Sequence, residues 1–138
     1  MKPNAPILLV DDDQIDVMSV KQGLKAIRAS NPLYVSTDGE AAIDWLNQGQ
    51  NPLPALILLD LNMPRMNGFE LLQILKADDR WQPIPVVILT TSQDQHDRRR
   101  SFQLQAAGYV IKPLEDEDFV EAIRVIHQYW CLSESSES

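Results

Sequence analysis

The sequence predicts a single α/β domain in which a parallel sheet is sandwiched between helices. Three observations predict it. Four short runs of branched apolar residues, Ile7-Leu8-Leu9-Val10, Leu56-Ile57-Leu58-Leu59, Val86-Val87-Ile88-Leu89 and Tyr109-Val110-Ile111, read as strands buried on both faces. A weaker run, Leu33-Tyr34-Val35, supplies a fifth. Segments with helical spacing separate them, and five strand-helix units in strict alternation imply a doubly wound architecture. Length and composition agree: 138 residues with 44% hydrophobic and 23% charged side chains suit one globular domain and exclude a largely disordered chain.

Each helix has its own signals. The first is expected over residues 14–30, with Val17, Val20, Leu24 and Ile27 facing inward and Pro32 ending it. Asp13, three residues before Asp16, reads as its N-cap. A second helix is expected over 40–47, stopped at Gly49, and a third over 69–76, with Pro83 and Pro85 marking the return to strand four. A fourth is expected over 94–107, with Gly108 placed to cap it. In the last helix Phe119, Ile123, Ile126 and Trp130 step by four, three and four, a core-facing stripe. Residues 1–132 therefore form the domain, and 133–138, Ser-Glu-Ser-Ser-Glu-Ser, with nothing apolar to bury, are expected as a disordered tail.

Charge and cysteine content narrow the function. A net charge of -8 disfavours DNA binding, which requires Lys and Arg to neutralise phosphates, and disfavours anionic membranes by the same sign. The single cysteine, Cys131, forms no intrachain disulfide and carries no sign of an oxidising compartment. No apolar run approaches the ~20 residues that cross a bilayer, so a cytoplasmic location is expected.

Ligands of open parallel sheets bind beyond the carboxyl ends of the strands. Those ends carry Asp11-Asp12-Asp13, Asp60-Leu61-Asn62-Met63-Pro64, Thr90-Thr91-Ser92 and Lys112-Pro113. Clustered carboxylates repel one another unless a cation neutralises them. Mg2+ (or Mn2+) suits Asp12 and Asp60 directly, and Asp11 directly or through water. A carboxylate nucleophile, a metal, a hydroxyl and a lysine form a sufficient kit for phosphoryl transfer, which is mostly positioning and charge stabilisation. Asp60 is then the acceptor, with Thr90 donating to one phosphoryl oxygen and Lys112 pairing with another.

These motifs, Val10-Asp11-Asp12, the stretch from Asp60 through Pro64 to Gly68, Thr90, and Tyr109-Val110-Ile111-Lys112-Pro113, closely resemble the receiver domain of two-component response regulators. Thirty residues separate Asp60 from Thr90 and twenty-two separate Thr90 from Lys112, as in that family. The resemblance implies a flavodoxin-like (βα)5 fold with strand order 2-1-3-4-5. It also implies phosphorylation of Asp60 by a histidine kinase, Mg2+ held by Asp11, Asp12, Asp60 and the Asn62 backbone carbonyl, and a switch pair of Thr90 and Tyr109. The Lys112-Pro113 bond matches one usually cis in receivers. Single-domain regulators of bacterial phytochrome kinases look closest, through Ile84-Pro85-Val86-Val87-Ile88-Leu89-Thr90-Thr91-Ser92, residues 77–83 and Tyr129-Trp130-Cys131-Leu132. The output face implied is helix four, strand five and helix five, read by a downstream protein, a histidine phosphotransfer protein or a second copy in a homodimer.

The rival from another class is a haloacid-dehalogenase-like phosphatase, which also uses a strand-end Asp nucleophile but places a second Asp two residues on. Here that residue is Asn62, which cannot protonate a leaving group, so no turnover beyond self-phosphorylation and autodephosphorylation is expected. A flavin-binding relative is disfavoured by acids where an FMN phosphate needs amides and hydroxyls. Glu115-Asp116-Glu117-Asp118 reads as an acidic helix start. Arg98-Arg99-Arg100 reads as a solvated face paired with Asp94 and Asp97, a signalling role staying open. His96 and His127 lack partners for metal or phosphotransfer chemistry.

Overall fold

The computed structural model describes residues 1–49 and 52–133. Five strands, β1 (Ile7–Val10), β2 (Leu33–Ser36), β3 (Leu56–Leu59), β4 (Val86–Thr90) and β5 (Gly108–Ile111), alternate with five helices, α1 (Gln14–Ala26), α2 (Gly39–Asn47), α3 (Gly68–Ala77), α4 (Gln95–Gln103) and α5 (Asp116–Leu132). All pairings are parallel, in the order β2-β1-β3-β4-β5. Fold class and strand order are those the sequence implied.

Strand side chains alternate between faces, and this chain fills both. Leu8, Val10, Ile57, Leu59, Val86 and Ile88 pack with Leu46, Leu71, Leu72 and Leu75 of α2 and α3. Their neighbours Ile7, Leu9, Leu56, Leu58, Val87 and Leu89 pack with Val20, Leu24, Phe119 and Ile123 of α1 and α5. Hence β1 and β3 are apolar at every position, and β4 at all but its last, Thr90. The edge strands are not: β5 is half-buried and ends on an exposed Ile111, and β2 exposes Val35. The expectation of full burial for β5 was therefore too strong, because an edge strand has a neighbour on one side only.

Caps account for most helix ends. Asp13 accepts hydrogen bonds from the backbone N–H groups of Ile15 and Asp16, Asp38 caps α2, and Asn67 and Glu70 form a reciprocal capping box on α3. The expected limits of two helices are corrected. Helix α1 stops at Ala26, short of Ser30, because Arg28 turns to φ 56°. Asp94 is the N-cap of α4 rather than its first turn, and α4 ends at Gln103, because Gln105 adopts φ 72° and Ala106 N–H closes on the Ser101 carbonyl. Gly108 consequently opens β5 and caps nothing. In both cases a non-glycine residue makes the left-handed turn, which composition does not announce.

The α5 stripe is buried as expected at Phe119, Ile123 and Ile126, with Trp130 half-buried against the same core. Of the aromatic end, Tyr129 and Leu132 remain exposed. The expected tail lies outside the described residues from 134 onward. The Lys112-Pro113 bond is trans; bonds before proline prefer trans by only about 0.5–1 kcal/mol, so the residue pair alone does not decide the isomer.

Candidate functional site

Sheet register delivers the site. Val10 pairs with Leu59, and Asp60 N–H donates to the Val10 carbonyl at 3.0 Å, so Asp11 and Asp60 emerge side by side from the central strands. On the other flank Thr90 pairs with Ile111, and Lys112 N–H donates to the Thr90 carbonyl at 2.8 Å. Asp11, Asp60, Thr90 and Lys112 are all buried, an arrangement too costly without partners. Asp12 is exposed at the rim.

Carboxylate oxygens of Asp11, Asp12 and Asp60 lie within 4.8 Å of one another. Asp11 Oδ1 accepts from Asp13 N–H at 2.9 Å. Its Oδ2 is buried and has no aligned hydrogen bond, although Lys112 Nζ stands 2.9 Å away. Burial pushes the Asp11 carboxyl up to about 6; contacts with Lys112 and Asp13 N–H offset this only in part, and the Asp60 charge adds to it. A buried Asp11 oxygen with no contact besides the Lys112 ammonium, two further carboxylates and a solvent-open rim fit a hard divalent cation that keeps some of its water.

Lys112 is the opposing charge. Its Nζ donates to Asp16 Oδ2 at 2.7 Å and to Asp60 Oδ2 at 3.3 Å. Burial works against the ammonium, but the carboxylates of Asp16 and Asp11, with the Asp60 charge, outweigh it and hold the pKa above the ordinary lysine value. Asn62, also exposed, places its backbone N–H 3.4 Å from Asp60 Oδ1.

Thr90 and Tyr109 meet through one residue. Ser92 N–H lies 3.4 Å from Thr90 Oγ1, and the Ser92 carbonyl accepts from the Tyr109 hydroxyl at 2.9 Å. Ser92 Oγ donates to Asp97 Oδ2 at 2.7 Å and approaches Asp94 N–H at 3.3 Å, tying this loop to the start of α4. The expected pairing of the arginines with Asp94 and Asp97 is therefore corrected. Those carboxylates cap and brace the loop, no arginine of α4 forms an ion pair among the described residues, and Arg100 lies over the Phe69 ring at 4.3 Å.

Three residues escaped the sequence reading. Asp16 was legible only as a helix-start acid, yet helical side chains lean toward the N-terminus and this one reaches back to Lys112. Ser92 stood among the strand-end hydroxyls with no role of its own assigned. Gly68 was part of the motif but had no assigned role. A β-carbon on it would stand 2.4 Å from the Asp60 carbonyl oxygen and 2.7 Å from Leu61 Cα, so glycine lets α3 start directly against the Asp60 backbone.

Residues 7–124 match the response regulator receiver domain family, and the chain belongs to it. It is a receiver domain of the two-component type, and Asn62 in place of a second acid accords with that rather than with a phosphatase. Over 132 residues it is 36% identical to the response regulator Rcp1 of Synechocystis sp., covering 93% of this chain and 90% of that protein. The phosphorylated cyanobacterial phytochrome response regulator RcpA superposes with a TM-score of 0.90 at 29% identity, covering 96% of this chain and 97% of the other. The Mn2+-bound form of Rcp1 superposes with a TM-score of 0.87 at 34% identity, covering 95% and 97%. Among the described residues no helix is long and apolar enough to cross a membrane.

Proposed function

We propose that Asp60 accepts a phosphoryl group from a histidine kinase, with Mg2+ or Mn2+ held by Asp11, Asp12, Asp60 and the Asn62 carbonyl, in a cytoplasmic signalling pathway. One observation carries this reading: Asp60 sits at the end of a central strand, with two other carboxylates within 4.8 Å and a buried lysine at 3.3 Å. An Asp60 oxygen attacks the phosphorus of a phosphohistidine; a P–O bond forms, the P–N bond breaks, and the imidazole nitrogen leaves with the electron pair and takes up a proton. The cation supplies charge neutralisation, letting an anionic donor approach an anionic acceptor. Lys112 and the Thr90 hydroxyl hold phosphoryl oxygens. The chain transfers to itself and turns over no separate substrate beyond releasing its own phosphate.

The likeness to Rcp1 and RcpA supports a phytochrome-type kinase as donor. Thr90, Ser92 and Tyr109 would carry the change to the face of α4, β5 and α5. There Phe102, Ile111, Val125 and Tyr129 are exposed, a surface for a downstream protein, a histidine phosphotransfer protein or a second copy. The net charge of -8 argues against DNA as that target. Intact-mass measurement with acetyl phosphate and Mg2+ tests the acceptor: one phosphoryl adduct is expected, lost in Asp60→Asn and in EDTA. An adduct surviving both sinks the assignment.

A further inference from the structure

The shortest contact of the site lysine is with neither the acceptor nor a metal-cluster carboxylate. Lys112 Nζ lies 2.7 Å from Asp16 Oδ2, 2.9 Å from Asp11 Oδ2 and 3.3 Å from Asp60 Oδ2. An ammonium has three donors, and here three carboxylates surround it. A phosphoryl oxygen on Asp60 can engage Lys112 only if one of them yields.

The three differ in their freedom to yield. Asp11 is 1% exposed, rooted at the end of a central strand and part of the metal cluster. Asp60 loses its full charge once it becomes an acyl phosphate and carries the incoming group itself. Asp16 keeps its charge, sits on the first turn of α1 and is 21% exposed on its side chain, so it can turn into water at little cost. It is both the strongest competitor by distance and the one free to leave.

We propose that Asp16 is a positioning residue that competes with the phosphoryl group for Lys112, so that a carboxylate on α1 sets how tightly this receiver holds its phosphorylated state. The inference rests on the reading of Asp60 as acceptor. It also makes α1 a participant in the phosphorylation equilibrium, because the Asp16 carboxylate and the incoming group draw on the same ammonium.

Beryllofluoride, a tetrahedral anion that docks on a carboxylate without covalent transfer, is the probe. Its affinity for the full chain in Mg2+ is read by fluorine NMR for wild type, Asp16→Asn, Asp16→Glu, Lys112→Met and the Asp16→Asn/Lys112→Met double variant. Asp16→Asn keeps the shape but weakens the hold on Lys112. It is expected to bind about tenfold tighter than wild type, the scale of one charge-assisted hydrogen bond, and its acetyl-phosphate adduct should live longer in the same proportion. Asp16→Glu restores competition and should return toward wild type. With Lys112→Met in place, Asp16→Asn should change affinity by less than about twofold.

Equal or weaker binding by Asp16→Asn overturns the inference. So does the same tenfold gain without Lys112, which would mean simple relief of negative charge. If Asp16→Asn does not fold, Asp16→Ser makes the same comparison. Wild type that binds no beryllofluoride and takes up no phosphoryl group would instead overturn the acceptor reading, leaving the two failures distinct.

Discussion

Gly68→Ala perturbs the setting of Asp60 without replacing any charged group. A β-carbon at Gly68 would lie 2.4 Å from the Asp60 carbonyl oxygen and 2.7 Å from Leu61 Cα, whereas non-bonded heavy atoms settle at about 3.5 Å. Both obstacles are backbone, so the misfit of roughly 1 Å cannot be absorbed by a rotamer change. Either α3 lifts from the sheet or the end of β3 shifts and carries the Asp60 carboxylate away from the Asp11 and Asp12 cluster. Overpacking of this kind costs about 1–3 kcal/mol, and a 1 Å misplacement of a reacting group costs about a hundredfold in rate. Helix propensity alone predicts the opposite sign, since alanine is favoured over glycine by up to about 1 kcal/mol. Urea unfolding and the time course of phosphoryl uptake by intact mass, both in saturating Mg2+, decide between them. A variant as stable as wild type or more so, with uptake unchanged, would refute the reasoning.

Two further predictions concern the acidic cluster and the link to α4. In metal-free protein, Asp11 titrates near 6 when folded against 3.8 in the unfolded chain, so between those values the folded state holds a proton the unfolded state lacks. Stability should therefore rise as pH falls from 7 through 6 toward 4, by up to about 3 kcal/mol from this group; urea midpoints in EDTA at pH 7.5 and 5 should show that gain shrinking in Asp11→Asn, and an equal gain in both proteins counts against it. Ser92→Ala keeps the backbone contacts to Thr90 and Tyr109 but removes the hydroxyl bridge to Asp97 and Asp94. It should accept phosphate normally while amide exchange at the start of α4 quickens by about tenfold, and unchanged exchange there would show that the bridge carries nothing.

The sequence alone determined the architecture and the identity of the chemical groups, because both are written in local patterns. Unbroken apolar runs alternating with helical segments read as strands of a covered parallel sheet, and acids, a hydroxyl and a lysine directly after such runs gather at one edge of that sheet. Asp13 as a cap and the α5 stripe were legible for the same reason, since a cap or a helix face depends on residues within a few positions. Only the tertiary structure decided which groups touch. Asp16 reaches Lys112 across 96 residues of chain, and Ser92 holds Tyr109 across 17. Arg100 stacks on Phe69 instead of pairing with its helix neighbours, and Gly68 owes its necessity to the Asp60 backbone lying beneath it. The turns at Arg28 and Gln105, which ended two helices early, belong with these contacts. Local patterning reports what a residue can do, but a contact energy depends on distances in ångströms between groups far apart in the chain, and those are set only when strand register and helix packing are complete.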